Sequence, residues 1–139
     1  MMLDGLRPDA LTQANTPRLD AFMREGAYTL AARSVSPSIT LPCHTSIFHS
    51  IPPSRHGILD NAWHSMVRPV VGLVDAAKTA GKRCAFFYNW EPLRDLNRPE
   101  NLHFAFYVNT CYEPDGDRPV VEAAVRYLPE YGFDFTFIY

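Results

Sequence analysis

Three side chains in the first half of the sequence have the types and settings for phosphoryl chemistry. Asp4 follows an apolar Met1-Met2-Leu3 run and precedes Gly5, so its carboxylate sits on a turn at the end of a predicted strand. That is a common way to present an oxygen ligand to a divalent cation. Thr40 stands in Pro37-Ser38-Ile39-Thr40-Leu41-Pro42-Cys43-His44, at a predicted helix start, where backbone N–H groups favour an anion. A threonine hydroxyl becomes a nucleophile only once a metal or a base takes its proton. Asn61 closes Ser54-Arg55-His56-Gly57-Ile58-Leu59-Asp60-Asn61 and carries an amide that can donate to a phosphoryl oxygen. Carboxylate, hydroxyl and amide together suit metal-assisted phosphoryl transfer.

Each residue also has a plainer reading. Asp-Gly is a frequent turn, Thr is a frequent helix N-cap, and a loop Asn is a frequent turn residue. Arg7 and Arg55 flank the three and have the charge to meet a phosphate, although arginines in surface ion pairs are commoner. His44, His49, His56, His64 and His103 show no HExxH or other paired ligand spacing and read as structural, with His56 bracing its loop through hydrogen bonds. No GxGxxG, P-loop or GxSxG pattern occurs, which leaves dinucleotide, P-loop and serine-hydrolase chemistries without support.

The bulk properties narrow the partners. A net charge of -2 offers no footprint for a nucleic-acid polymer. No apolar run reaches the roughly 20 residues that cross a bilayer. Asp4 and Arg7 interrupt any secretory leader at the N-terminus as given. Cys43, Cys84 and Cys111 form no CxxC pair and are odd in number, so they read as small buried hydrophobes rather than a disulfide framework or zinc ribbon.

The elements that must position these residues follow from periodicity. Thr16-Pro17 opens a helix with Leu19, Phe22 and Met23 on one face and Gly26 at its end. Residues 27–35 alternate loosely, as a strand does. A short helix covers 41–50 with Pro42 in its first turn, and two prolines and a glycine make 51–57 a loop. A helix over 70–80 turns Val70, Leu73, Val74 and Ala77 inward. Residues 83–88 and 102–108 read as apolar strands, with Phe86 and Phe87 divided between the two sheet faces. A helix over 119–131 turns Val121, Ala124, Val125 and Leu128 inward, and 133–139 is an aromatic strand. Strand–helix alternation predicts an α/β fold, a mostly parallel sheet with helices on both faces. Ligands in such folds lie beyond the carboxyl ends of the strands, where Asp4 is expected. Residues 1–139 contain no linker long enough to divide them and read as a single α/β domain.

Taken in order, Asp4-Gly5-Leu6-Arg7-Pro8-Asp9, Thr16-Pro17-Arg18-Leu19, Thr40-Leu41-Pro42-Cys43-His44, His56-Gly57-Ile58 and Asn61 resemble the type I phosphodiesterase/nucleotide pyrophosphatase family of the alkaline phosphatase superfamily. The resemblance is specific over 1–61 and diffuse beyond. It implies an alkaline-phosphatase-like fold, incomplete in this chain, and two divalent metal ions, zinc by the family's pattern. Asp4 would ligate one ion, Thr40 would be the metal-activated nucleophile that becomes phosphorylated, and Asn61 would bind an oxygen of the transferred group. Substrates would be small phosphodiesters or nucleotides. The sequence departs from the family in having His49-Ser50 where Thr-Gly usually ends the nucleophile's helix. By the same resemblance the other metal ligands fall after residue 139. Residues 1–139 are then the N-terminal part of a larger catalytic domain, with little catalysis on their own and a sheet edge open to self-association.

Other readings remain open. A sulfatase shares the superfamily fold but needs Cys or Ser where Thr40 stands, and Cys43 is three positions late. A phosphomonoesterase, a phosphonate hydrolase or a cofactor-independent mutase on the same scaffold is compatible with these motifs. So is a non-catalytic remnant used for binding.

Overall fold

A computed structural model describes residues 1–62, 64–66, 68–98 and 100–139. The chain divides into two compact units, one made of Met1–Met2 with Val35–Tyr139 and a smaller one of Leu3–Ser34.

The larger unit is built on three strands, β1 (Cys84–Tyr88), β2 (Phe104–Tyr107) and β3 (Phe135–Ile138), in the order β2-β1-β3. Both pairings are parallel, with Phe86 beside Ala105 on one side and Phe137 on the other. All five residues of β1 are buried, as expected for the central strand of a parallel sheet covered on both faces. Alternation along β1 sends Phe86 and Phe87 to opposite faces. Phe86 meets Phe48 and Phe137 at 5.6 and 5.1 Å between ring centroids. Phe87 meets Phe104 at 5.3 Å. The predicted α/β sheet with helices on both faces is therefore present.

The Phe86 face is covered by α3 (Thr40–His49), α5 (Leu73–Thr79) and a 3₁₀ turn over Glu91–Leu96, through Leu41, Phe48, Val74, Leu93 and Leu96. The Phe87 face is covered by α6 (Arg118–Tyr131). Of the residues expected inward on α6, Ala124 is buried and Leu128 packs on this core, but the stripe is turned toward Val120 and Ala123. Val120, Ala123 and Ala124 are buried, whereas Val121 and Val125 are 48% and 69% exposed. Both faces are apolar enough to satisfy a helical period. The small Ala123 lets the helix approach the sheet, and Tyr127 then reaches Phe104 at 5.1 Å.

Between α3 and α5 the predicted loop contains one helical turn, α4 (Pro53–His56), ended by Gly57 in the left-handed region. Ser50, also left-handed at φ 55°, ends α3. In the smaller unit, α1 (Pro8–Gln13) and α2 (Pro17–Glu25) have no buried residues, and Phe22, expected on an inward face, is 75% exposed. The strand expected over 27–35 does not form. Residues 27–34 are exposed, and the local Thr29 hydroxyl takes the Ala31 N–H, so alternation there has no buried face to serve. At the start of the chain only the edge of strand pairing is seen: Met2 N–H donates to Ile138 C=O at 2.8 Å.

Candidate active site

The nucleophile candidate lies where α3 begins. Thr40 is the first helical residue and Ile39 holds the cap position. Isoleucine has no side-chain acceptor, so the N–H groups of the first turn need one from elsewhere. Asn61 supplies it from twenty residues along the chain: Leu41 N–H donates to Asn61 Oδ1 at 3.0 Å. Because an N–H must meet an acceptor, the amide is oriented with its oxygen on Leu41, and the Nδ2 donors of this exposed residue stay accessible. Thr40 and Asn61, separated in sequence, are thus brought to one helix start. The N-cap reading of Thr40 does not hold, and Asn61 carries out the capping as a remote residue.

Behind Thr40, α3 is stiffened by side chains that bond back one turn. His44 Nδ1 is 2.8 Å from Thr40 C=O, Thr45 Oγ1 donates to Leu41 C=O at 2.7 Å, and His49 Nδ1 is 3.0 Å from Thr45 C=O. A carbonyl only accepts, so both imidazoles carry their proton on Nδ1. His44 is buried edge-on to Phe137 and Tyr139. Its Nε2 has no hydrogen-bond partner among the described residues.

The loop that delivers Asn61 is tied to the middle of α3. His56 is buried, with Nε2 at 2.9 Å from Ser46 Oγ, and its Nδ1 accepts Ile58 N–H at 3.0 Å. Burial pushes the His56 imidazole below its ordinary range, the nearby His49 acts in the same direction, and the Pro42 carbonyl opposes both. His56 braces its loop, as the sequence suggested. Arg55 lies on the outer side, sharing a cleft of 520 Å³ with Arg68 and Pro69.

Asp4 belongs to the smaller unit. Its Oδ1 accepts Gly5 N–H at 2.9 Å, and Gly5 has φ +69°, a conformation that glycine adopts at little cost. The Asp-Gly turn is therefore formed. Arg7 is paired with Asp9 at 2.6 Å and holds that carboxyl below its usual range. Cys84 is fully buried, which raises its thiol pKa, while Cys43 and Cys111 are half-buried; all three are free thiols.

The model of the type I phosphodiesterase/nucleotide pyrophosphatase family matches residues 1–126. The chain belongs to this family. Its members are hydrolases of the phosphodiesterase and pyrophosphatase type, generally metal-dependent. No individual curated protein matches the chain. The family match runs through the Asp4 turn, Thr40 and Asn61, and continues across β1, β2 and most of α6.

The donor set tests how much of a metal centre the chain itself supplies. Asp4 offers a carboxylate and Thr40 a hydroxyl, the oxygen chemistry a divalent ion accepts. Among the described residues no group of three or more His, Cys, Asp or Glu is placed to hold a metal. A zinc ion takes about four ligands, and Asp4 and Thr40 supply one side chain each, in separate units of the chain.

Among residues that sequence reasoning passed over, Ser46 and the Leu41 N–H matter most. Ser46 is an ordinary helix serine by sequence, and a backbone N–H has no sequence signature. Only the fold reveals them as the anchors of His56 and Asn61.

Proposed function

We propose that this phosphodiesterase-family chain carries the nucleophile half of a metal-dependent hydrolase acting on phosphodiester or pyrophosphate bonds of nucleotide-type substrates. The observation that carries the reading is the Asn61–Leu41 hydrogen bond, which joins a motif threonine and a motif asparagine at one helix start.

In this reading Thr40 Oγ gives up its proton to solvent and forms a bond to phosphorus. The ester or anhydride bond opposite it breaks, and the leaving alkoxide or phosphate takes the electron pair, an alkoxide then gaining a proton from water. Water then hydrolyses the phosphothreonine and restores the hydroxyl. Asn61 Nδ2 donates to a non-bridging oxygen as negative charge builds there, the task of an oxyanion donor. Asp4 is proposed as a ligand to one of two divalent ions, zinc by family resemblance, with Thr40 as a further ligand. The described residues do not complete that ligand set, and the chain alone is expected to turn over little substrate. We also read residues 1–139 as part of a larger catalytic domain. The alternatives on the same scaffold are a phosphomonoesterase or phosphonate hydrolase and a binding domain without catalysis.

The residue roles are testable without turnover. Titrating adenosine 5′-monophosphate into the zinc-supplemented, ¹⁵N-labelled chain is expected to shift the Leu41 backbone and Asn61 side-chain amide signals. Asn61→Ala should weaken that binding. Shifts confined to other regions would refute the assignment.

A further inference from the structure

Among the described residues, two side-chain hydrogen bonds that differ in chemistry fasten the loop after α3 to that helix. At the helix start the bond is Leu41 N–H to Asn61 Oδ1. Near the helix centre it is Ser46 with His56. The direction of the second bond follows from the other ring nitrogen. His56 Nδ1 accepts Ile58 N–H, so it holds a lone pair, and the neutral ring keeps its proton on Nε2. Nε2–H then donates to Ser46 Oγ. This order is the reverse of a nucleophile–base couple, in which the ring takes the hydroxyl proton. Ser46 and His56 are both buried, at 9% and 2% exposure, although His56 borders the cleft that Arg55 and Arg68 line.

Only four residues separate His56 from Asn61, and their path is fixed. Gly57 turns the chain at φ +79°. Ile58 is buried in the core with Leu41 and Phe48, and its N–H is held by the same imidazole. Asn61 itself is exposed, and its bond to Leu41 N–H lies outside the core. Its position against the helix start is therefore set by what anchors residues 56–58.

We propose that Ser46 and His56 form a positioning clamp that registers Asn61 against Thr40. Neither touches a substrate; they act through the loop. The proposal rests on the reading of Thr40 and Asn61 as the phosphoryl-handling pair, and it extends that reading to Ser46, outside the motifs, and to His56, a motif residue given no role in it.

The Leu41 amide reports on the clamp directly. As the second residue of α3 it has no intrahelical partner, so its protection from hydrogen exchange comes from Asn61. In Ser46→Ala, Leu41 exchange is expected to accelerate about tenfold, a change corresponding to about 1.4 kcal/mol. Val108, whose N–H bonds Tyr88 in the sheet, should keep its protection. Unchanged Leu41 exchange with Val108 intact would overturn the proposal. If Val108 also loses protection, the variant has loosened globally, and the size-matched pair Ser46→Thr and Ser46→Val decides. Faster Leu41 exchange in the valine variant supports the clamp, and equal rates overturn it. The adenosine monophosphate titration separates the two layers. Leu41 responding to Ser46→Ala while no variant shows nucleotide-induced shifts would leave a loop anchor and remove the phosphoryl role. Nucleotide-induced shifts that persist unchanged in Ser46→Ala would keep the phosphoryl role and remove the clamp.

Discussion

Asn61 uses one end of its amide in the fold. Its oxygen caps a helix whose own cap residue is isoleucine, and in the proposed function its nitrogen serves a ligand. The capping job alone has a measurable weight. Asn61→Ala is expected to destabilise the fold by about 1 kcal/mol, the usual cost of losing a helix cap. Asn61→Asp, which keeps an acceptor for Leu41 N–H, should retain most of the stability while losing the amide donors. Urea unfolding of the three proteins checks this, and equal midpoints for Ala and Asn would show that the bond contributes nothing. His56 gives a pH dependence of definite sign. Its folded-state pKa is depressed by burial first and by His49 second, so the unfolded chain takes up the proton more readily. Its contribution to stability is complete above the unfolded value of about 6.5 and is lost as pH falls through that value toward the folded one. The urea midpoint of the wild type should therefore drop more steeply below about pH 6.5 than that of His56→Gln. Parallel curves for the two proteins would contradict the assignment.

At the scale of elements, close approaches decide which substitutions are tolerated. Gly116, just before α6, has no room for a side chain: a Cβ there would lie 1.8 Å from the Thr110 carbonyl oxygen. Around it the buried Asn89 donates to Gly116 C=O and Asp117 Oδ1, and Thr110 Oγ1 donates to Gly116 C=O. Gly116→Ala must move backbone and is expected to cost about 1–3 kcal/mol, read by thermal or urea unfolding; a neutral result would mean the loop is looser than its hydrogen bonds indicate. The face of α6 gives a paired prediction. Val125→Glu should change stability by less than about 0.5 kcal/mol, whereas Ala124→Leu should cost about 1–3 kcal/mol by overpacking the sheet. That pair also shows where sequence reading stops. The strands, α3 and the division of Phe86 from Phe87 were legible because alternation and helical period map directly onto faces. The orientation of α6 was legible only in part: Ala124 and Leu128 do face the core, but 121, 124, 125, 128 and 120, 123, 124, 127 are both apolar stripes, and Tyr127 packs on Phe104 in the second. Thr40 and Asn61 were legible as motif residues. Their meeting through Leu41 N–H, and the clamp behind it, depend on backbone geometry that no residue type encodes. The strand expected over 27–35 failed for the opposite reason, since local alternation there has no partner to bury against.

For the molecule as a whole, the chain combines a three-stranded sheet covered on both faces with the motif residues Thr40 and Asn61 at one helix start. The two outer strands, β2 and β3, flank a single buried one, and sheet edges of this kind invite pairing with a second copy. Concentration-dependent self-association is expected in size-exclusion chromatography, and a monomer at every concentration would count against it. Family membership assigns hydrolase chemistry, while the described residues hold no cluster able to bind a metal. In the proposed function the chain presents Thr40 and Asn61 without a full metal centre. The most direct test is zinc-supplemented hydrolysis of bis(p-nitrophenyl) phosphate by the 139-residue chain beside Thr40→Ala. The predicted result is turnover at the uncatalysed background in both proteins. Robust hydrolysis that disappears in Thr40→Ala would show that the chain assembles a complete site, alone or with a second copy, and would contradict the account.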